Sequence, residues 1–111
     1  MIADMENLIG ERSSIGISSL GDLGDYYRQF LNITTYLIAR SRLSSGEQSR
    51  SYLRGFGPVL QEKVHQRLQL ILPTHYPDDP YTMEDIQTAA RFVLYGTSTS
   101  ATIAKIEEGA D

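Results

Sequence analysis

At 111 residues the chain has room for one domain and a self-sufficient core, and for nothing larger. It has no cysteine, which excludes disulfides, thiolate zinc sites and cysteine nucleophiles. The net charge of -4 argues against general affinity for nucleic acid, which depends on neutralising phosphates. The charge is unevenly spread. Six basic residues stand against two acidic ones between Arg40 and Arg67, and four against twelve elsewhere. No apolar run approaches the ~20 residues that span a membrane. The polar start MIADMENLIGERS is unlike a secretory leader, so a soluble, cytoplasmic protein is expected.

Residues 1–14 are polar and acidic, and predict a flexible N-terminus with at most a helical stub from Met5 to Ile9. Ile15, Ile17, Leu20 and Leu23 follow, broken by Gly16, Gly21 and Gly24. That pattern predicts an extended strap on the core. Asp22 or Gly24 is the expected cap of the helix that comes next.

That helix, Asp25 to Arg40, is the hub. Tyr26, Phe30, Ile33 and Leu37 recur at helical spacing, and Tyr27, Leu31, Thr34 and Ile38 form a second stripe beside them. Arg28, Asn32, Thr35 and Ala39 are left for solvent. So broad an apolar arc requires cover from at least two other elements.

A short helix is expected from Ser44 to Gly55. Ser44 and Glu47 form a capping box, and Gly55 stands where a left-handed C′ residue belongs. Tyr52, Leu53 and Phe56 gather on one side, with Glu47, Arg50, Ser51 and Arg54 facing away. Pro58 opens a third helix, whose core stripe is Leu60, Val64, Leu68 and Ile71, with Val59, Lys63, Gln66 and Leu70 on a thinner one. Pro73 ends it, and THYPDDPY is a connector. Thr82 with Asp85 begins the last helix. Met83, Ile86, Ala89, Ala90, Val93 and Leu94 face inwards on it, Phe92 and Tyr95 face outwards, and Gly96 closes it. Residues 97–111 read as a flexible acidic tail. The expected fold is an all-α, compact four-helix domain over residues 15–96.

No residue set points to catalysis, and no cofactor is implied. His65 and His75 lack carboxylates at ligand spacing, and His75 with Asp78 and Asp79 reads as a solvated acidic loop rather than a metal site. There is no nucleophile elbow, and GFGP lacks the lysine and hydroxyl of a phosphate loop. Arg40, Arg42, Arg50 and Arg54 are the one basic cluster. Without interleaved aromatics they make RNA a weaker expectation than protein. The outward aromatics Phe92 and Tyr95 suggest a contact patch.

Tyr26-x-x-x-Phe30, followed by Tyr52-Leu53-Arg54-Gly55-Phe56-Gly57-Pro58-Val59-Leu60 and then Val64, resembles the Gag capsid region of Ty3/gypsy-type LTR retrotransposons. The element order is similar to the C-terminal lobe of retroviral capsids over residues 19–96, with TMEDIQTAA resembling that lobe's last helix. The resemblance implies that Gly21, Asp25, Tyr26 and Phe30 form a major-homology-like segment that holds the lobe together, although Leu20 stands where many relatives have glutamine. It also implies that the Ser44–Gly55 helix matches the lobe's dimer helix, here with a charged outer face. Without an N-terminal lobe or a zinc knuckle, an isolated lobe is expected. The functional expectation is self-association, with Arg50, Ser51, Arg54, Phe92 and Tyr95 as contact candidates. The alternative is a monomeric adaptor that holds a protein or peptide partner in a groove beside Tyr27, Leu31 or Val59.

Overall fold

In the computed structural model, residues 2–76 and 78–95 are described, and all of their regular structure is helical. Four helices run Ile2–Ile15 (α1), Leu20–Ala39 (α2), Ser45–Arg54 (α3) and Pro58–Ile71 (α4). A fifth, α5, is helical from residue 83 through residue 95. Among the described residues there are thus five helices and no strand, in place of the expected four. The closure at Gly96 and the acidic tail lie outside the described residues.

The extra helix is α1. Met5, Leu8 and Ile9 fall at i, i+3 and i+4, and all three are buried in the common core. Asp4 in the first turn and Arg12 in the last oppose the helix dipole. Gly16, at φ +89°, takes the chain out of the helix, and its amide donates to the Arg12 carbonyl at 2.7 Å. A three-residue apolar stripe inside a polar segment predicted a stub. Packing against α2 and α3 extends it to a full helix.

The expected strap shrinks to Gly16–Ser19, because α2 begins at Leu20 and contains both Gly21 and Gly24. Two helical glycines cost about 1 kcal/mol each. Capping and burial offset this. The Asp22 amide donates to the Ser19 hydroxyl at 3.0 Å, and the Ser18 amide donates back to the Asp22 carboxylate at 3.3 Å. Ser18 holds that carboxylate below the usual range. Ser19, rather than Asp22 or Gly24, is therefore the cap.

Helix α2 is the hub that its pattern predicted. Leu23, Tyr26, Phe30, Thr34 and Leu37 are buried, and Arg28, Asn32, Thr35 and Ala39 are exposed. Buried Thr34 is satisfied on both sides: it donates to the Phe30 carbonyl at 2.9 Å and accepts from Gln48 Nε2 at 2.9 Å. The Ser44–Glu47 capping box on α3 is complete. Proline opens α4, and Leu60, Val64 and Leu68 reach the core, while Ile71 at the helix end stays exposed. On α5 the Asp85 amide donates to the Thr82 hydroxyl at 3.1 Å, and Ile86, Ala89, Ala90 and Leu94 are buried.

Candidate functional site

The residues that carry the sequence motif interlock. Tyr26 stacks on Tyr52 with ring centroids 4.7 Å apart, and Phe30 and Phe56 lie 5.1 Å and 5.0 Å from the Tyr52 ring. Each such pair adds about 0.5–1.5 kcal/mol to the burial of its rings. The Tyr26 hydroxyl donates to the Tyr52 carbonyl at 2.9 Å, and the Tyr52 hydroxyl donates to Gln87 Oε1 at 2.6 Å. Helices α2, α3 and α5 are thereby joined through two phenols. Burial pushes both far above the ordinary tyrosine range.

Gly55 explains the close approach. Its φ of -74° is right-handed, so it is not the left-handed C′ residue that the pattern predicted. A Cβ built there would overlap the Tyr26 hydroxyl and ring. Glycine is required here for space, not for conformation. Tyr26 and Phe30 of the major-homology-like set thus meet in the core. Gly21 and Asp25 do not join them. Gly21 is exposed in the first turn of α2, and Asp25 faces solvent and pairs with Arg28.

The outward candidates divide differently from the expectation. Ser51 is only 7% exposed, and Arg54 donates to both Glu6 carboxylate oxygens, at 2.8 and 3.1 Å, and to the Ser51 hydroxyl at 3.3 Å. Helix α1, expected only as a stub from Met5 to Ile9, packs on the face of α3 that was expected to be open. Its Glu6 is held below the usual carboxylate range chiefly by the Arg54 hydrogen bonds, and Arg54 is raised in return. Arg50 remains exposed. Arg40 lies over the Tyr36 ring at 4.4 Å, so the basic cluster does carry one aromatic. On α5, Phe92 and Tyr95 are more than half exposed, and the Arg67 guanidinium sits 3.6 Å from the Phe92 ring centre.

The three groove candidates do not share a groove. Tyr27 borders a depression between α3 and the start of α5, with Gly46, Pro80 and Met83. Leu31 is half-buried and borders neither this depression nor the cleft beside Val59. Val59, 69% exposed, forms the wall of a separate cleft of about 320 Å³, between the Gly16–Ser18 turn and the ends of α4 and α5. Ile17, Phe56, Val93 and Leu94 make other apolar walls, and among the described residues Lys63 is the one ionisable side chain there. Gly57, at φ +80°, turns the chain into α4, whose N-terminus has no side-chain cap. Lys63 shares the thinner α4 stripe with Val59 but was not among the expected groove residues. Its spacing of four residues from Val59 was the available signal.

In the connector, His75 stacks on Tyr81 at 4.1 Å, and its Nε2 lies 2.8 Å from the Asp79 carbonyl. Among the described residues no three histidine or acidic side chains converge as metal ligands, and no helix is long and apolar enough to cross a membrane. What the surface offers is contact chemistry: an aromatic and cationic edge on α4 and α5, and an apolar cleft with one cation at its rim. Comparison with family models, curated proteins and solved structures finds no match to this chain.

Proposed function

We propose that this chain is a structural domain of the Gag capsid-lobe type that works by associating with copies of itself and catalyses no reaction. The observation that carries the reading is the outward face shared by α4 and α5. Val59, Lys63, Gln66, Arg67 and Leu70 lie within about 100° of one another around α4, and Phe92 stands beside them under Arg67. Leu70 is 74% exposed and Phe92 55%. Large apolar side chains at the two ends of a cationic stripe suit the centre of a protein contact. The interlock of Tyr26, Tyr52, Gly55 and Phe56 gives that face a rigid base and supports the resemblance on which the reading rests.

The burial of Ser51 and the engagement of Arg54 by Glu6 turn the proposed contact away from α3 and towards α4 and α5. Sedimentation velocity across concentration, at low and at high salt, is the test. A weight-average mass that climbs with concentration is expected. A strict monomer at the highest soluble concentration in low salt removes the reading.

A second reading, a monomeric adaptor that holds a peptide, is favoured by one observation: the apolar cleft beside Val59.

A further inference from the structure

We infer that the cleft beside Val59 receives a short peptide segment of another protein in which an apolar side chain stands next to a carboxylate. This deepens the adaptor reading and rests on it, and it assigns to a peptide a wall, Val59 and Lys63, that also borders the face proposed for self-association. The apolar part follows from the walls. Ile17, Phe56, Val59, Val93 and Leu94 surround a space of about 320 Å³, near the lower end of sizes that hold a ligand.

The carboxylate follows from charge. Among the described residues, Lys63 is the one ionisable side chain on the cleft wall; it is exposed and forms no ion pair with any of them. The uncapped first turn of α4 at the same wall adds a field of the same sign. An apolar anchor in the well and an acid at its rim therefore meet complementary surfaces at once.

The shape favours a chain over a compact molecule. Pro58, Val59 and Lys63 also border a shallow depression that carries the cleft on along α4 to Glu62 and Gln66. A segment anchored in the well can run over these side chains and use their amide and carboxylate groups. The Gln66 side chain already donates to Glu62 at 3.3 Å, which leaves its carbonyl oxygen open to a backbone amide.

The test uses the full chain and an array of blocked hexapeptides, in which every pairing of Leu, Ile, Val, Phe and Met is followed by Glu, Gln or Lys. The best binders are then titrated by NMR. The glutamate peptides are expected to bind about 5-fold more tightly than their lysine counterparts, and to shift the amides of residues 16–18 and 57–63. Lys63→Glu should reverse the order of the two sets, and Val59→Asp should abolish both. Thr35→Asp, on the solvent-facing side of α2 and outside both the cleft and the proposed contact face, should leave binding unchanged. Peptides that shift the cleft amides regardless of charge keep the adaptor reading and overturn the inference. No shift of those amides with any peptide overturns both. Loss of self-association in Lys63→Glu without peptide binding makes the cleft a contact between copies, and overturns the inference as well.

Discussion

The ring of Tyr26 lies where a side chain at residue 55 would have to go, so the distance between α2 and the end of α3 is set by the absence of one carbon atom. The Tyr26 ring cannot swing aside easily, because it is stacked on Tyr52 and its hydroxyl is held by the Tyr52 carbonyl. Gly55→Ala should therefore destabilise the fold by about 1–3 kcal/mol, the range for overpacking a tight core. In a Tyr26→Leu background the same change should cost less, because the shorter side chain makes room. Urea unfolding of the four chains closes the cycle. A neutral Gly55→Ala would show that the two helices do not meet at this spacing.

The two buried phenols make the fold sensitive to alkali. Their folded-state pKa values are raised, so the neutral phenol is the form that the fold prefers. Stability from them is complete below the ordinary tyrosine pKa of about 10 and is lost as pH rises beyond it. Of the seven tyrosines, Tyr26 and Tyr52 should ionise only as the helical circular dichroism collapses. Tyr52→Phe should remove part of that late rise in tyrosinate absorbance. Ionisation of every tyrosine with the helical signal intact would contradict the buried pair.

On the acid side the sign reverses. Glu6 is lowered by Arg54, so its contribution is present above the ordinary carboxylate pKa and disappears as pH falls below about 4. Both side chains are about half exposed, which limits the pair to about 0.2–1 kcal/mol. Glu6→Gln should lower Tm slightly at neutral pH, with the gap to wild type closing at pH 3 and in high salt. Hydrogen exchange should show faster opening in α1 than in α2. A gap that persists at pH 3 would mean that Glu6 acts through packing instead.

The sequence revealed those elements whose apolar period was long and whose boundaries were marked. The hub stripe of Tyr26, Phe30 and Leu37, the Ser44–Glu47 box and Pro58 at the head of α4 were all legible. Helix α1 was legible only as a stub from Met5 to Ile9, because Met5, Leu8 and Ile9 form a stripe too narrow to support a full helix without the partners that bury it. The same shortfall misplaced Ser51 and hid the Glu6 partner of the exposed Arg54, since a face covered by a helix expected only as a stub reads as open. Gly55 showed the limit of residue rules. Its place after α3 suggested a turn, and its reason is a ring that arrives from 29 residues earlier in the chain. Phe92 was legible as an outward residue, but the Arg67 guanidinium over it was not, because that contact joins two helices.

Ser41 closes α2 in the left-handed region at φ +58°, with its amide on the Ile38 carbonyl at 3.0 Å and the Arg42 amide on the Leu37 carbonyl at 2.8 Å. This is a position where glycine costs least. Ser41→Gly should raise stability by about 0.5–1 kcal/mol, the relief of left-handed strain less the extra freedom of the unfolded glycine. The midpoint of urea unfolding should rise with an unchanged slope. A lower midpoint would place residue 41 outside that region in solution.

Phe92 separates the roles of surface and core. Its ring is more than half exposed and carries Arg67 on one face, so Phe92→Asp removes apolar contact surface and a stacking pair worth about 0.5–1 kcal/mol, and it leaves the Tyr26–Tyr52 interlock untouched. The folded chain should lose little in Tm, because the new carboxylate lies beside the Arg67 guanidinium. Self-association should weaken by at least about 10-fold, the size of effect expected when an aromatic anchor is lost from the middle of a contact. Sedimentation equilibrium of wild type and variant at matched salt measures the difference. Equal association constants would move the contact away from α5, and a matching fall in Tm would show that Phe92 supports the fold rather than the assembly.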